Sequence, residues 1–198
     1  MSSAAVKARL TPEQYLASER KSSVKSEYDN GAIHAMAGAS RPHNLIASNL
    51  NREIGSRLKD RPCEVYISDM RVCVSQTGLY TYPDVVAVCG EPHFQDGEFD
   101  TLLNPTVIVE VLSHSTEADD RGNKFAHYRR LASLREYVLV AQDKVLVERY
   151  TRQGDEWLLT ELRSLEDVLR LGSIDCDVAL LEMYAKVQFP GAVPGGDP

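Results

Sequence analysis

The stretch Thr106-Val107-Ile108-Val109-Glu110-Val111-Leu112 is β-branched and apolar apart from one carboxylate. An unbroken apolar run of this kind reads as a strand buried on both faces, which places it at the centre of a sheet. Tyr137-Val138-Leu139-Val140 is a second such run. Between the two, Gly122 to Leu134 reads as a helix with Phe125, Tyr128 and Leu131 on its inward stripe, a crossover long enough for parallel pairing. Upstream, Cys63 to Ile67 alternates and Arg71 to Val74 continues the pattern. Tyr80 to Cys89 then reads as a strand that runs into Val85-Val86-Ala87-Val88.

Working outward, Ile46, Leu50, Ile54 and Leu58 recur every four residues and predict an amphipathic helix over 43–59. Thr11-Pro12-Glu13-Gln14 has the cap, the proline and the returning glutamine of a helix start. Within Lys25 to Met36, Asn30-Gly31 supplies a tight turn, so two short antiparallel strands are expected there. After the core, Val145 to Tyr150 and Trp157 to Thr160 read as an antiparallel pair across Gln153-Gly154, and Asp177 to Lys186 as a closing helix. With no internal repeat or linker, residues 1–189 are expected to form one domain of the α/β class with a mixed (α+β) sheet. Residues 190–198, with three prolines and three glycines, are expected to form a loose tail.

Composition narrows the function classes. The chain of 198 residues is 43% hydrophobic and 26% charged, the proportions of a globular domain with a sizeable core. No run reaches the roughly 18 apolar residues of a membrane span, and Met1 to Leu10 lacks an apolar signal region, so a cytoplasmic protein is expected. Cys63, Cys73, Cys89 and Cys176 form no C-x-x-C pair and read as buried small hydrophobes. No Walker loop and no G-x-G-x-x-G is present, which removes nucleotide-cofactor chemistry, and Ser113-His114 is too tight a spacing for a hydrolase triad. The net charge of -7 argues against a uniformly basic nucleic-acid coat. It is unevenly spread: Arg121 to Arg135 holds Arg121, Lys124, Arg129, Arg130 and Arg135 with no acid, and reads equally as a solvated helix face or a phosphate-facing one.

Glu110 is the anomaly, because a bare carboxylate inside Val-Ile-Val-Glu-Val-Leu is costly to bury unless a cation compensates it. Asp84 is its counterpart, following Pro83 and leading into Val85-Val86-Ala87-Val88. If the two strands are neighbours, the carboxylates converge on a site suited to a hard divalent cation such as Mg²⁺.

Taken together, Tyr28-Asp29-Asn30-Gly31, Ala35 to Ser40 followed by His43, Tyr82-Pro83-Asp84-Val85, Asn104-Pro105, Glu110 to Thr116, Asp120 with Lys124 and Tyr128, and Ser133 to Tyr137 resemble one family in order and spacing. It is the Uma-type restriction-endonuclease-like family, a branch of the PD-(D/E)-X-K nuclease superfamily, and the resemblance spans roughly residues 10 to 190. It implies a core of helix, three strands, helix, strand, to which the residues add an N-terminal hairpin and a C-terminal β-hairpin and helix. Pro83-Asp84 and Glu110 match the two acidic half-motifs, but the position two beyond Glu110 is Leu112 and not lysine. The resemblance implies that Lys124, from the following helix, takes the lysine's place.

The implied chemistry is Mg²⁺- or Mn²⁺-dependent hydrolysis of DNA phosphodiesters, with Asp84, Glu110 and Lys124 as the catalytic set and Asp84, Glu110 and the Val111 carbonyl as metal ligands. Glu27 reads either as a site-lining acid or as a hairpin ion-pair partner. His43 reads either as a phosphate-holding residue at a helix start or as a structural one. Ser113 is a further candidate to line the site. A homodimer is expected, since two strands are most simply cut by two sites related by a twofold. The rival expectation is a binding or assembly module with this fold, in which Lys124 merely neutralises Glu110.

Overall fold

The computed structural model describes residues 9 to 189; the expected tail at 190–198 lies outside them. The N-terminal part contains α1 (Pro12–Glu19), β1 (Ser26–Asp29), β2 (Ala32–Ala35) and α2 (Arg41–Leu58). There follow β3 (Cys63–Ile67), β4 (Arg71–Val74), β5 (Leu79–Thr81), β6 (Val85–Cys89), β7 (Thr101–Leu102) and β8 (Val107–Leu112). The crossover is α3 (Glu117–Asp119), a π-helical turn (Asp120–Lys124) and α4 (Phe125–Tyr128). Strands β9 (Glu136–Ala141), β10 (Val147–Gln153), β11 (Glu156–Leu162), β12 (Val168–Leu171) and β13 (Cys176–Ala179), then α5 (Leu180–Met183), complete the described chain.

The central six-stranded sheet has the order β11-β10-β9-β8-β6-β3. Strands β8 and β9 pair in parallel, as the length of their crossover allows, while β6 pairs antiparallel with both β3 and β8. Every residue of β8 and β9 is buried. One face of the sheet packs against Ile46, Leu50, Ile54 and Leu58 of α2, and the other against Phe125, Tyr128, Leu131 and Leu134. Helix, three strands (β3, β6, β8), helix and strand (β9) therefore follow in the expected order. The hairpin β1–β2 joins a separate sheet of order β2-β1-β5-β4-β7. Thr11 caps α1 through the expected reciprocal bonds with Gln14, and Asn30 and Gly31 adopt the positive φ that their turn needs.

Four expectations are corrected. The segment from Tyr80 to Cys89 is not one strand: it breaks at Tyr82-Pro83-Asp84, leaving β5 in the hairpin sheet and β6 in the central one. The helix read over Gly122 to Leu134 starts at Glu117 and ends at Tyr128, and the rest is turn. Asp177 to Ala179, read as the start of a helix over Asp177 to Lys186, belong to the strand β13 paired with β12, and the helix is confined to Leu180–Met183, because a short segment fits either structure until its partner is known. Cys63 and Cys89 are not free hydrophobes: they are opposite each other across β3 and β6 and form a disulfide. Cys73 and Cys176 are buried thiols, as read. Among the described residues no helix is long and apolar enough to cross a membrane.

Candidate active site

Asp84 stands immediately before β6, and the β6–β8 register, with Val85 opposite Val109, sets it across from Glu110. The two are locked together through the main chain: the Asp84 Oδ2 accepts the Val111 amide at 2.7 Å, and the Asp84 amide donates to Glu110 Oε2 at 3.4 Å. Two acids on neighbouring antiparallel strands thus share one end of the sheet, as the sequence suggested.

Lys124 reaches the same place from the π-helical turn. There the extra residue per turn carries a buried position round to the sheet. Its ammonium lies 3.0 Å from Glu27, 3.3 Å from Asp120 and 3.5 Å from Glu110. The lysine is only 7% exposed, Glu110 4% and Asp120 2%. Glu27 comes from β1, so the hairpin sheet contributes directly to the cluster, and Thr81 Oγ1 donates to its carboxylate. Tyr128 donates its hydroxyl to Glu110 Oε1 at 2.9 Å.

The electrostatics follow from burial. Removal from water pushes the Glu110 carboxyl well up, and the nearby Asp120, Asp84 and Glu27 push the same way against the pull of Lys124. Asp120 is raised for the same first reason. Burial alone would lower the Lys124 ammonium; the surrounding carboxylates outweigh it and hold the proton on. His43 Nε2 is 3.1 Å from Asp84 Oδ2. Burial again opposes its charged form, while Asp84 more than restores it, and the Val111 carbonyl also favours the ring proton.

Asp84, Glu110, Lys124, Glu27 and His43 are therefore brought together, with Val111 joined to Asp84 through its amide. Ser113 is not tied to the acids: its hydroxyl interacts with Ser115 and Thr116 at 3.0 Å each, within the turn after β8. Sequence reasoning gave no role in the site to Asp120 or Tyr128: both were named among the residues that carry the family resemblance, and Tyr128 also on an apolar stripe. The i,i+4 spacing of Asp120 to Lys124 was the available signal for the first.

Among the described residues no three His, Cys, Asp or Glu side chains form a metal cage. A cation here would take two carboxylates, with main-chain and water oxygens completing the set that a hard ion prefers. The charge balance fits one: Asp84, Glu110, Asp120 and Glu27 meet the single ammonium of Lys124 and the imidazole of His43.

Comparison with known proteins agrees with this architecture. Residues 12–179 match the Uma2 family model, described as "Putative restriction endonuclease". An uncharacterized protein of Synechocystis sp. (strain ATCC 27184 / PCC 6803 / Kazusa), sll1609, is 42% identical over 154 residues, 77% of this chain and 87% of the relative. A second from the same organism, slr1290, is 36% identical over 182 residues, 91% of this chain and 94% of the relative. In structure, a crystallised chain from Anabaena variabilis ATCC 29413, described as a "putative nuclease belonging to DUF820", superposes with a TM-score of 0.73 at 16% identity. The match covers 88% of this chain and 97% of that one.

Proposed function

The chain belongs to the Uma2 restriction-endonuclease-like family, and from that premise we propose that it is a divalent-metal-dependent nuclease that hydrolyses phosphodiester bonds in DNA. The observation that carries this reading is the meeting of Asp84, Glu110 and Lys124, from two neighbouring strands and a π-helical turn, at one end of the central sheet. Nothing in ordinary core packing calls for that much buried charge in one place.

Asp84 and Glu110, with the Val111 carbonyl, are the groups that would hold Mg²⁺ or Mn²⁺. When bound, the ion supplies Lewis-acid polarisation of a phosphoryl oxygen and a water of lowered pKa. The chain's own residues set the stage for this. Val111 and His43 fix the Asp84 carboxylate from two sides, and Tyr128 fixes that of Glu110. Lys124 keeps its proton at Nζ and presents a fixed positive charge to the charge that develops on a phosphate in the transition state. Glu27 and Asp120 hold that ammonium in place. A twofold dimer would offer one such site to each strand of a duplex.

The test is incubation of supercoiled plasmid and single-stranded DNA with purified protein in Mg²⁺, Mn²⁺ or EDTA, beside Asp84→Ala and Lys124→Ala. Cleavage that needs the metal and is lost in both variants is expected. Wild-type protein inert on both DNAs would overturn the proposal in favour of a binding or assembly module.

A further inference from the structure

The acid-free segment from Arg121 to Arg135 divides in two once folded. Arg121 is engaged by Glu117 at 3.0 Å and by Glu148, and Lys124 by the acidic cluster. Arg129, Arg130 and Arg135 are exposed and, among the described residues, make no ion pair. Arg152 of β10 joins them. Its guanidinium donates to the Arg129 carbonyl at 2.8 Å, to Leu131 at 2.9 Å and to Leu134 at 2.8 Å, and its amide donates to Arg135 at 2.8 Å.

We propose that Arg129, Arg130, Arg135 and Arg152 form a face that grips the phosphate backbone of the DNA beyond the scissile bond, an inference that rests on the nuclease reading above.

Three observations carry it. The first is that like charges are held together with no ion-pairing acid among the described residues, in a chain of net charge -7. Arg152 is shifted down, by burial first and then by the positive charge of Arg135, with Asp155 at the β10–β11 turn the acid that partly offsets it. Such a pairing is relieved by an anion. The second is that the neighbouring acid is already spent: the Glu136 carboxylate accepts the Gly172 and Ser173 amides at 3.1 Å each. Arg135, Arg152 and Thr151 line one cavity beside it, and the Thr151 Oγ1 is buried without a partner. The third is that two of the guanidiniums rest over aromatic rings, Arg152 over Trp157 at 4.5 Å and Arg129 over Phe125 at 5.0 Å, which holds their charge at this face.

The separation along the strands is short enough for one DNA segment to reach both places. In the parallel β8–β9 register Glu110 stands opposite Leu139 and Val107 opposite Glu136. Arg135 is therefore about 13 Å along the strands from Glu110, taking roughly 3.3 Å per residue. That equals about four nucleotide steps at roughly 3.4 Å each.

The test is fluorescence anisotropy of a short labelled DNA duplex in EDTA across a range of NaCl concentrations. It compares wild type, Arg129→Ser/Arg130→Ser/Arg135→Ser, the same three changed to Lys, and a charge-matched control, Lys21→Ser/Arg52→Ser/Lys59→Ser. Each lost phosphate contact lowers the slope of log affinity against log salt by about 0.9. The serine triple is expected to lose about 2 to 3 from the slope and at least about tenfold in affinity, while the lysine triple and the control keep most of both. A serine triple with the wild-type slope, or a control that loses as much, overturns the proposal and leaves the nuclease reading standing. Wild-type protein that binds no duplex overturns the grip as well, while the nuclease reading stands or falls by the cleavage assay above.

Discussion

Lys124 and Glu110, one on a π-helical turn and the other in the middle of a strand, meet at 3.5 Å with almost no access to solvent. A buried pair of this kind is weak evidence of net stabilisation, yet removing one partner strands the other's charge. Lys124→Met leaves Glu110, Asp120 and Glu27 facing one another and is expected to cost about 3 kcal/mol. Adding Glu110→Gln should recover part of that loss. Urea unfolding of the single and double variants checks both expectations.

Tyr128→Phe removes the hydroxyl that donates to Glu110 Oε1 at 2.9 Å, without opening a cavity. The expected loss is about 1 to 2 kcal/mol, the cost of a buried acceptor losing its donor. A midpoint in urea equal to that of wild type would show that the bond contributes nothing.

Much of the site was legible in the sequence because it breaks strand rules. Glu110 is a charge in a fully buried apolar run, and Asp84 follows a proline at the start of another, so each stood out before their strands were known to be neighbours. Lys124 was legible through a family resemblance alone: helical periodicity does not say that this lysine turns inward, and it sits in a π-helical turn that no local pattern announces. Glu27 was an open choice because its partner comes from a remote part of the chain. The same limit explains the elements. The helix over 43–59 needed only its own periodicity and was found at Arg41–Leu58. Cys176–Ala179 owes its strand form to Val168–Leu171, which no local pattern announces.

Cys63 and Cys89 close a loop with a sequence separation of 26. In the chain-entropy account a bridge of that span stabilises the fold by about 3 kcal/mol. Cys89→Ala should lower stability by up to that amount. Alkylation of the unfolded, non-reduced protein followed by mass measurement should find two reactive thiols, Cys73 and Cys176. Four would refute the bridge.

Acid stability should depend on Asp100. The Arg20 guanidinium, at 2.8 Å, holds its carboxyl well below the usual carboxylate range, with Thr101 and Arg71 acting the same way. A group depressed in the folded state contributes its stability above the unfolded pKa of about 4 and loses it as the pH falls through the folded value. Asp100→Asn should therefore cost about 1 kcal/mol at neutral pH, given its partial exposure. Below about pH 4 its stability should fall less steeply than that of wild type. Parallel curves for the two proteins, measured by unfolding from pH 7 to 2, would contradict the assignment.

The most direct test of the account is titration of Mn²⁺ into the purified protein by calorimetry, with Asp84→Asn and Glu110→Gln alongside. One ion per chain in wild type, with binding lost or sharply weakened in each variant, is the predicted result. Absence of binding in wild type, or binding that both variants retain unchanged, would show that these carboxylates do not form a metal site.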